Sequence, residues 1–188
     1  MALPQTLIHW LLAASAVAAV IFFAVGLTTY FDRPRRRPAW VGAIHTLGTV
    51  LSLTQLALVL SLLPRGDVWA SVGIVMYTGA VTVFLSAIES ARRTRLQRAF
   101  IDEPLPDRLI TEGPYRWIRH PFYLGYILGA LAAAVAIDSL ALAVIAAIMI
   151  AISVAAAIHE ERVWLKSAHA EAYRAYRART GMFIPFIG

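Results

Sequence analysis

Long apolar runs make up most of the chain, and short polar segments separate them. A membrane-spanning helix needs about 20 apolar residues, with a range of roughly 17–25. Runs of about this length predict five spanning helices, over residues 7–30, 41–63, 68–88, 122–137 and 140–158. The fourth run is the shortest, and a tight turn at Asp138-Ser139 joins it to the fifth. We therefore expect an all-α, polytopic membrane helix bundle with five transmembrane helices.

Polar residues inside the second and third runs recur at helical spacing, which places them on one face of each helix. The two stripes are His45, Thr49, Ser52 and Gln55 in the second run, and Thr78, Thr82, Ser86 and Glu89 in the third. Hydroxyl and amide groups on such faces usually bond neighbouring helices. Ionisable groups near a membrane are candidates for function, which singles out His45 and Glu89. Glu89 is equally well interpreted as an interfacial residue beside Arg92 and Arg93.

The charged residues lie at the ends of the apolar runs. Hydrophobic residues make up 60% of the 188, compared with roughly 45–50% in soluble domains. The net charge is +6, but its placement fits membrane orientation and phospholipid contact, and we expect no nucleic-acid partner. The absence of cysteine excludes disulfides, thiolate metal ligands and a cysteine nucleophile.

The basic residues also predict the orientation of the bundle. All but one of the 17 lysines and arginines lie after the first, third or fifth run, which places them on one side; Arg65 lies on the other. Because basic segments stay in the cytoplasm, the amino terminus is predicted outside and the carboxyl terminus inside. We therefore expect an integral membrane protein of a prokaryotic inner membrane.

Two segments outside the runs have patterns of their own. Residues 90–111 predict a short basic interfacial helix and then a proline-broken loop. Residues 159–180 predict an amphipathic helix on the membrane surface, whose apolar face comprises Leu165, Ala168, Ala172, Tyr173 and Tyr176. The tail, residues 182–187, is expected to return to lipid or to fold over the site.

The junction at residues 112–126, Glu-Gly-Pro-Tyr-Arg-Trp-Ile-Arg-His-Pro-Phe-Tyr-Leu-Gly-Tyr, is the most densely functionalised boundary between water and lipid. Pro121 suits the first turn of a helix, where its missing N–H costs nothing, and this places His120 near the N-cap. The unsatisfied amides of a helix start favour anions, and Arg116 and Arg119 add positive charge. The same features also fit a membrane helix that arginine and aromatic residues anchor at the headgroups.

A tight hairpin brings the start of the fourth run beside the end of the fifth, so that His120 meets Glu160 and Glu161 at one level. His45 and Glu89 are expected at the same level. Carboxylates at a helix carboxyl terminus oppose the macrodipole, so a bound cation, a cationic ligand, Arg116 or Arg162 is expected to compensate them. The pattern predicts a polar site at the cytoplasmic ends of four helices.

These residues resemble the isoprenylcysteine carboxyl methyltransferase family and its phospholipid N-methyltransferase relatives. The resemblance covers residues 113–188 and rests on the joint spacing of Gly-Pro-Tyr-Arg-Trp-Ile-Arg-His-Pro-Phe-Tyr-Leu-Gly (113–125), Glu160-Glu161 with Leu165, Glu171-Ala-Tyr173 with Tyr176, and Phe183-Ile-Pro-Phe-Ile187. It implies a methyltransferase that uses S-adenosylmethionine and needs no metal. The acceptor would be amphiphilic, such as a prenylcysteine-like carboxylate at the cytoplasmic leaflet.

The resemblance also implies roles for individual residues. Its cofactor pocket would comprise Tyr115, Arg119, His120, Pro121, Tyr123, Glu160, Glu161 and Tyr173. The glutamates can accept from the cofactor's ammonium group or ribose hydroxyls, while Arg119 and the helix-start amides can hold its carboxylate. Arg119 would also suit an anionic acceptor head, and His45, Glu89 or His159 could act as base for a thiol or amine acceptor.

A single domain over residues 1–188 is expected, with a three-helix part (1–89), a basic segment with the motif loop (90–121), and a catalytic hairpin with the carboxyl-terminal helix (122–188). Three other functions stay open. One is an NADPH-dependent membrane reductase, whose phosphate site the arginine-rich loop would supply. The second is methylation of phospholipid amines or small thiols. The third is a non-catalytic membrane scaffold or transporter component, although most transporter designs contain a repeat that this chain lacks.

Overall fold

Helices account for the architecture of the computed structural model, which describes residues 5–31, 38–91 and 109–187. In chain order they are α1 (Gln5–Thr29), α2 (Ala39–Ser61), α3 (Asp67–Ala91), α4 (Pro121–Ala136), α5 (Leu140–Leu165) and α6 (Ala170–Arg177). A short 3₁₀ helix, Gly113–Arg116, precedes α4. The all-α prediction is confirmed for the described residues. The predicted basic segment falls mostly on residues 92–108, which lie outside them.

Four of these helices, α1, α2, α3 and α5, are long and apolar enough to cross a membrane. Their bounds agree with the predicted runs to within three residues, except that α5 continues to Leu165. The helix α4 has 16 residues and is apolar, but it is shorter than a typical span. The orientation of the termini and a complete fifth span therefore stay predictions.

The amphipathic helix predicted over residues 159–180 is divided in two, because residues 166–169 form a turn between α5 and α6. The turn lets α6 fold back, so that the ring of Tyr173 stacks on Trp164 with centroids 5.6 Å apart. This contact buries aromatic surface that a straight helix would leave exposed. The prediction of one continuous helix with a single apolar face was therefore wrong.

The longer α5 also changes the surroundings of the two glutamates. Glu160 and Glu161 lie within α5, more than a turn before its carboxyl-terminal residue Leu165. The prediction that they end a helix and oppose its macrodipole was therefore wrong. Their charges are compensated by side chains from elsewhere in the fold.

Small residues let α3 and α4 approach closely, which fixes the position of α4 in the bundle. A methyl group added at Gly125 of α4 would lie 3.3 Å from the carbonyl oxygen of Ala80, and one at Gly73 of α3 would lie 2.8 Å from Cβ of Ala136. Near the start of α4, the ring of Phe84 packs against the rings of neighbouring aromatic residues, Phe23, Phe122 and Tyr126. The first turn of α4 is thereby held beside the end of α3.

The helix α2 lies at the edge of the bundle, and only Val41, Gln55 and Val59 of its residues are buried. Between Val41 and Gln55, residues of its inner face line a cavity together with residues of α1, α4 and α5. The space left there is the cavity of the candidate site.

Candidate active site

The start of α4 and the end of α5 meet in a buried ion pair. Nε of Arg119 donates to Oε1 of Glu161 at 2.7 Å, and both side chains are 5% exposed or less. The same oxygen lies 3.3 Å from Nε2 of His120, and Oε2 of Glu161 lies 3.4 Å from Nε of Arg177. Arginines therefore compensate this carboxylate, but they are Arg119 and Arg177, so the expectation of Arg116 or Arg162 was wrong.

Arg119 also ties the carboxyl-terminal segment to the site. Its Nη1 donates to the carbonyl oxygens of Thr180 and, at 3.3 Å, Arg177. Its backbone N–H donates to the carbonyl oxygen of Gly181 at 2.8 Å, while His120 N–H donates to that of Met182 at 3.2 Å. Only glycine fits at position 181, because a Cβ there would overlap the carbonyl oxygen of Ile184. The first two residues of this segment, Gly181 and Met182, are thereby held against the start of α4.

Glu160 has different surroundings from its neighbour. Its Oε2 accepts from the hydroxyl of Tyr123 at 3.4 Å and lies 3.8 Å from Nδ1 of His120. Its side chain is 46% exposed, and the rings of His120 and Tyr123 stack beside it with centroids 5.6 Å apart. An ionised carboxylate has about four acceptor positions, so Glu160 retains capacity for a ligand that donates hydrogen bonds.

Aromatic residues from the 3₁₀ helix, α5 and α6 form a wall beside this cluster. The hydroxyl of Tyr176 donates to the carbonyl oxygen of Tyr115 at 2.7 Å, and Tyr173 stacks on Trp164. Burial raises the pKa of Tyr115, Tyr173 and Tyr176 well above the usual range, so all three stay protonated at neutral pH. The buried hydroxyl of Tyr173 has no hydrogen-bond partner among the described residues and is available to donate.

A cavity of about 530 Å³ extends from this cluster into the bundle. We call one end of it the mouth; residues of the polar cluster and the aromatic wall line this end, including Arg119, His120, Tyr123, Glu160, Trp164 and Tyr173. Its interior is mostly apolar, with walls from α1, α2, α4 and α5. The whole polar stripe of α2, from His45 to Gln55, faces it. The stripe predicted an inward face, but the pattern of one helix could not predict the cavity.

The structure brings together all the predicted cofactor residues. Seven line the cavity, namely Tyr115, Arg119, His120, Pro121, Tyr123, Glu160 and Tyr173. The eighth, Glu161, lies behind the wall and holds Arg119 and His120. Of the candidate bases, His45 lines the cavity, whereas Glu89 is exposed on α3 and is absent from its lining. Trp164 also lines the cavity. Nothing in the sequence selects it except that it follows the two glutamates by about one helical turn.

No group of three or more His, Asp or Glu side chains within residues 5–31, 38–91 and 109–187 is arranged to hold a metal ion.

Membrane-length helices, with a buried cluster of Arg119, His120 and Glu161 beside a largely apolar cavity, define an integral membrane protein with a polar site at one end of its helices. The family model described as phospholipid methyltransferase matches residues 68–172, more than half of the chain. The chain belongs to the phospholipid methyltransferase family, as the resemblance implied.

A curated relative is the cobalt-zinc-cadmium resistance protein CzcN of Cupriavidus metallidurans. The chain is similar to it at 38% identity over 77 residues, which cover 41% of this chain and 35% of the relative. The match thus spans about a third of the length of that relative.

Proposed function

We propose that this protein transfers a methyl group from S-adenosylmethionine to an amphiphilic acceptor, such as a prenylcysteine-like carboxylate, at the cytoplasmic leaflet of a prokaryotic inner membrane. The observation that carries the proposal is the cavity that joins the charged cluster around Glu160 to an apolar interior. A cavity with both polar and apolar walls suits a polar donor and a lipid-like acceptor. Family membership favours methyl transfer over the reductase and scaffold functions.

The residues at the mouth fit the groups that the cofactor carries. Glu160 can accept from an ammonium group or ribose hydroxyls, and the protonated hydroxyl of Tyr173 can donate to an acceptor atom. The first turn of α4 has no side-chain cap, since His120 makes no capping bond, so its amides suit a carboxylate. When bound, S-adenosylmethionine supplies a methyl group on a sulfonium that a nucleophile can displace.

The protein's own contribution is to position the reactants and exclude water. We assign Arg119 a positioning role, because its Nε and Nη1 already bond Glu161 and the carboxyl-terminal segment. A carboxylate acceptor is ionised and needs no base, whereas a thiol or amine needs one, and His45 is the candidate within the cavity. Glu89 is left out of this assignment because it does not line the cavity.

Calorimetric titration of the detergent-purified protein is expected to show binding of S-adenosylmethionine and none of NADPH. Glu160→Gln and His120→Ala are each expected to weaken binding about tenfold to a hundredfold, since a hydrogen bond to a charged group contributes roughly 1.5–3 kcal/mol. Asp67→Asn, at the far end of α3, is the matched control and should bind like the wild type. Binding of NADPH alone, or unchanged affinity in both site variants, would contradict the proposal.

The orientation has a separate test that uses the absence of native cysteine. Leu63→Cys lies between α2 and α3, where the wild-type side chain is exposed, and Thr111→Cys lies beyond the other end of α3. In intact cells, an impermeant thiol reagent is expected to label the cysteine at position 63. The one at position 111 should react only after permeabilisation. The reverse pattern would place the site outside the cytoplasm.

A further inference from the structure

We propose that the inner end of the cavity recognises a hydroxyl group on the hydrocarbon part of the acceptor, through Gln55 and Tyr77. This inference rests on the proposed methyl transfer and narrows its acceptor. The acceptor is then an amphiphile with a hydrogen-bonding group deep in its chain, and a plain hydrocarbon tail is the poorer ligand.

The two residues form a buried polar pair on the cavity wall. Gln55 is 9% exposed and Tyr77 is 2% exposed, and both line the cavity together with Gly129. Nε2 of Gln55 donates to the Tyr77 hydroxyl at 3.2 Å and to the carbonyl oxygen of Gly129 at 2.9 Å. Because a backbone carbonyl can only accept, this contact fixes which end of the amide is the nitrogen.

The pair retains one hydrogen-bond donor and one acceptor for a ligand. The Tyr77 oxygen accepts from Gln55 and therefore keeps its own proton to donate, while Oε1 of Gln55 can accept. Neither group has a further hydrogen bond among the described residues. Hydrogen bonds between helices account for both amide protons of Gln55. They do not account for the hydroxyl proton of Tyr77 or for Oε1 of Gln55. A ligand hydroxyl can accept from one and donate to the other, and it would remove the cost of leaving them unsatisfied in an apolar region.

The position of the pair predicts where the ligand's hydroxyl lies. Gly129 follows His120 by nine residues on α4, which corresponds to about 13 Å along the helix axis. A zigzag chain with carbon–carbon bonds of about 1.5 Å covers this distance in about ten or eleven bonds. Apolar residues line the interval on α4 and α5, including Phe122, Ile152 and Ala156. A hydroxyl near carbon 12 of an acceptor whose head lies at the mouth would therefore reach Gln55 and Tyr77.

The test uses two pairs of probes, dodecanoate with 12-hydroxydodecanoate and dodecylamine with 12-hydroxydodecylamine. Each is titrated calorimetrically into the full chain in detergent, without cofactor. For the pair with the preferred head group, the hydroxylated probe is expected to bind about tenfold tighter to the wild type, as a net hydrogen bond would give. The isomer 2-hydroxydodecanoate, whose hydroxyl stays at the mouth, should gain nothing over dodecanoate.

Two variants separate recognition from helix packing. Tyr77→Phe keeps the ring and Gln55→Met keeps the chain length, and each is expected to abolish the preference for the hydroxylated probe. Equal affinities within both pairs in the wild type, or a preference that persists in Tyr77→Phe, would overturn the inference. Titration of the same preparations with S-adenosylmethionine tests the proposed function independently. A protein that binds the cofactor without preferring the hydroxyl refutes only the inference, and the converse refutes only the cofactor assignment.

Discussion

Replacing Glu161 by glutamine is expected to lower the free energy of unfolding by about 3–5 kcal/mol, the usual effect of breaking a buried ion pair. The substitution keeps the shape of the side chain but removes the charge that compensates Arg119, 2.7 Å away. It also weakens the contacts to His120 and Arg177. Because Arg119 bonds the carbonyl oxygen of Thr180, the carboxyl-terminal segment should detach more easily and become more sensitive to proteolysis.

The adjacent glutamate provides a matched control for this prediction. Glu160 is 46% exposed, and exposed pairs contribute roughly 0–1 kcal/mol, so Glu160→Gln should unfold nearly as the wild type does. Denaturant unfolding in detergent measures both variants, and cofactor titration is run on the same samples. We expect Glu161→Gln to lose stability and Glu160→Gln to lose cofactor affinity at full stability. Equal stability of the two variants would show that the ion pair has no structural role.

Most of the helix positions could be predicted from the apolar runs, because a long run in a membrane protein has few alternatives to a helix. The carboxyl-terminal end of α5 could not be predicted in this way. A local pattern places a charged pair such as Glu160-Glu161 at a helix terminus, whereas the structure continues the helix because Arg119 and His120 stabilise the charges there. These partners are about 40 residues distant in sequence, and spacing within one helix contains no information about them.

The residues of the candidate site could also be predicted only in part from spacing along the chain. A tight turn leaves little choice of register, so the predicted meeting of His120 with Glu160 and Glu161 is confirmed. The stripe with Glu89 was expected to face neighbouring helices and does not, because spacing predicts that residues share a face but not which face meets a neighbour. The buried face of α3 is the one that carries Ala80 and Phe84, and α4 packs there. The stripe with Glu89 is exposed, and its hydroxyl groups bond carbonyls of their own helix.

Gly48 is the position at which the cavity can be filled without disturbing the fold. It lies on the inner face of α2 and lines the cavity, one turn from His45. A Cβ added there meets no atom within 4 Å, so a larger side chain would project into open space. The polar cluster at the mouth is formed by α4, α5 and the carboxyl-terminal segment, and no residue of α2 is needed to complete it. A bulky residue at position 48 should therefore separate acceptor binding from cofactor binding.

Gly48→Trp is expected to reduce methyl transfer to a twelve-carbon acceptor by roughly a hundredfold or more. Displacing about four methylene groups from the cavity forfeits about 0.8 kcal/mol for each, or about 3 kcal/mol in total. Part of the loss should appear in kcat, because binding of the chain helps to hold the reacting head in line. Transfer from radiolabelled S-adenosylmethionine to dodecanoate, dodecylamine and dodecanethiol measures the effect, with Gly48→Ala as the control that leaves the space open. If the tryptophan variant transfers methyl groups as well as the alanine variant, or loses cofactor affinity in parallel, the acceptor does not bind beneath α2.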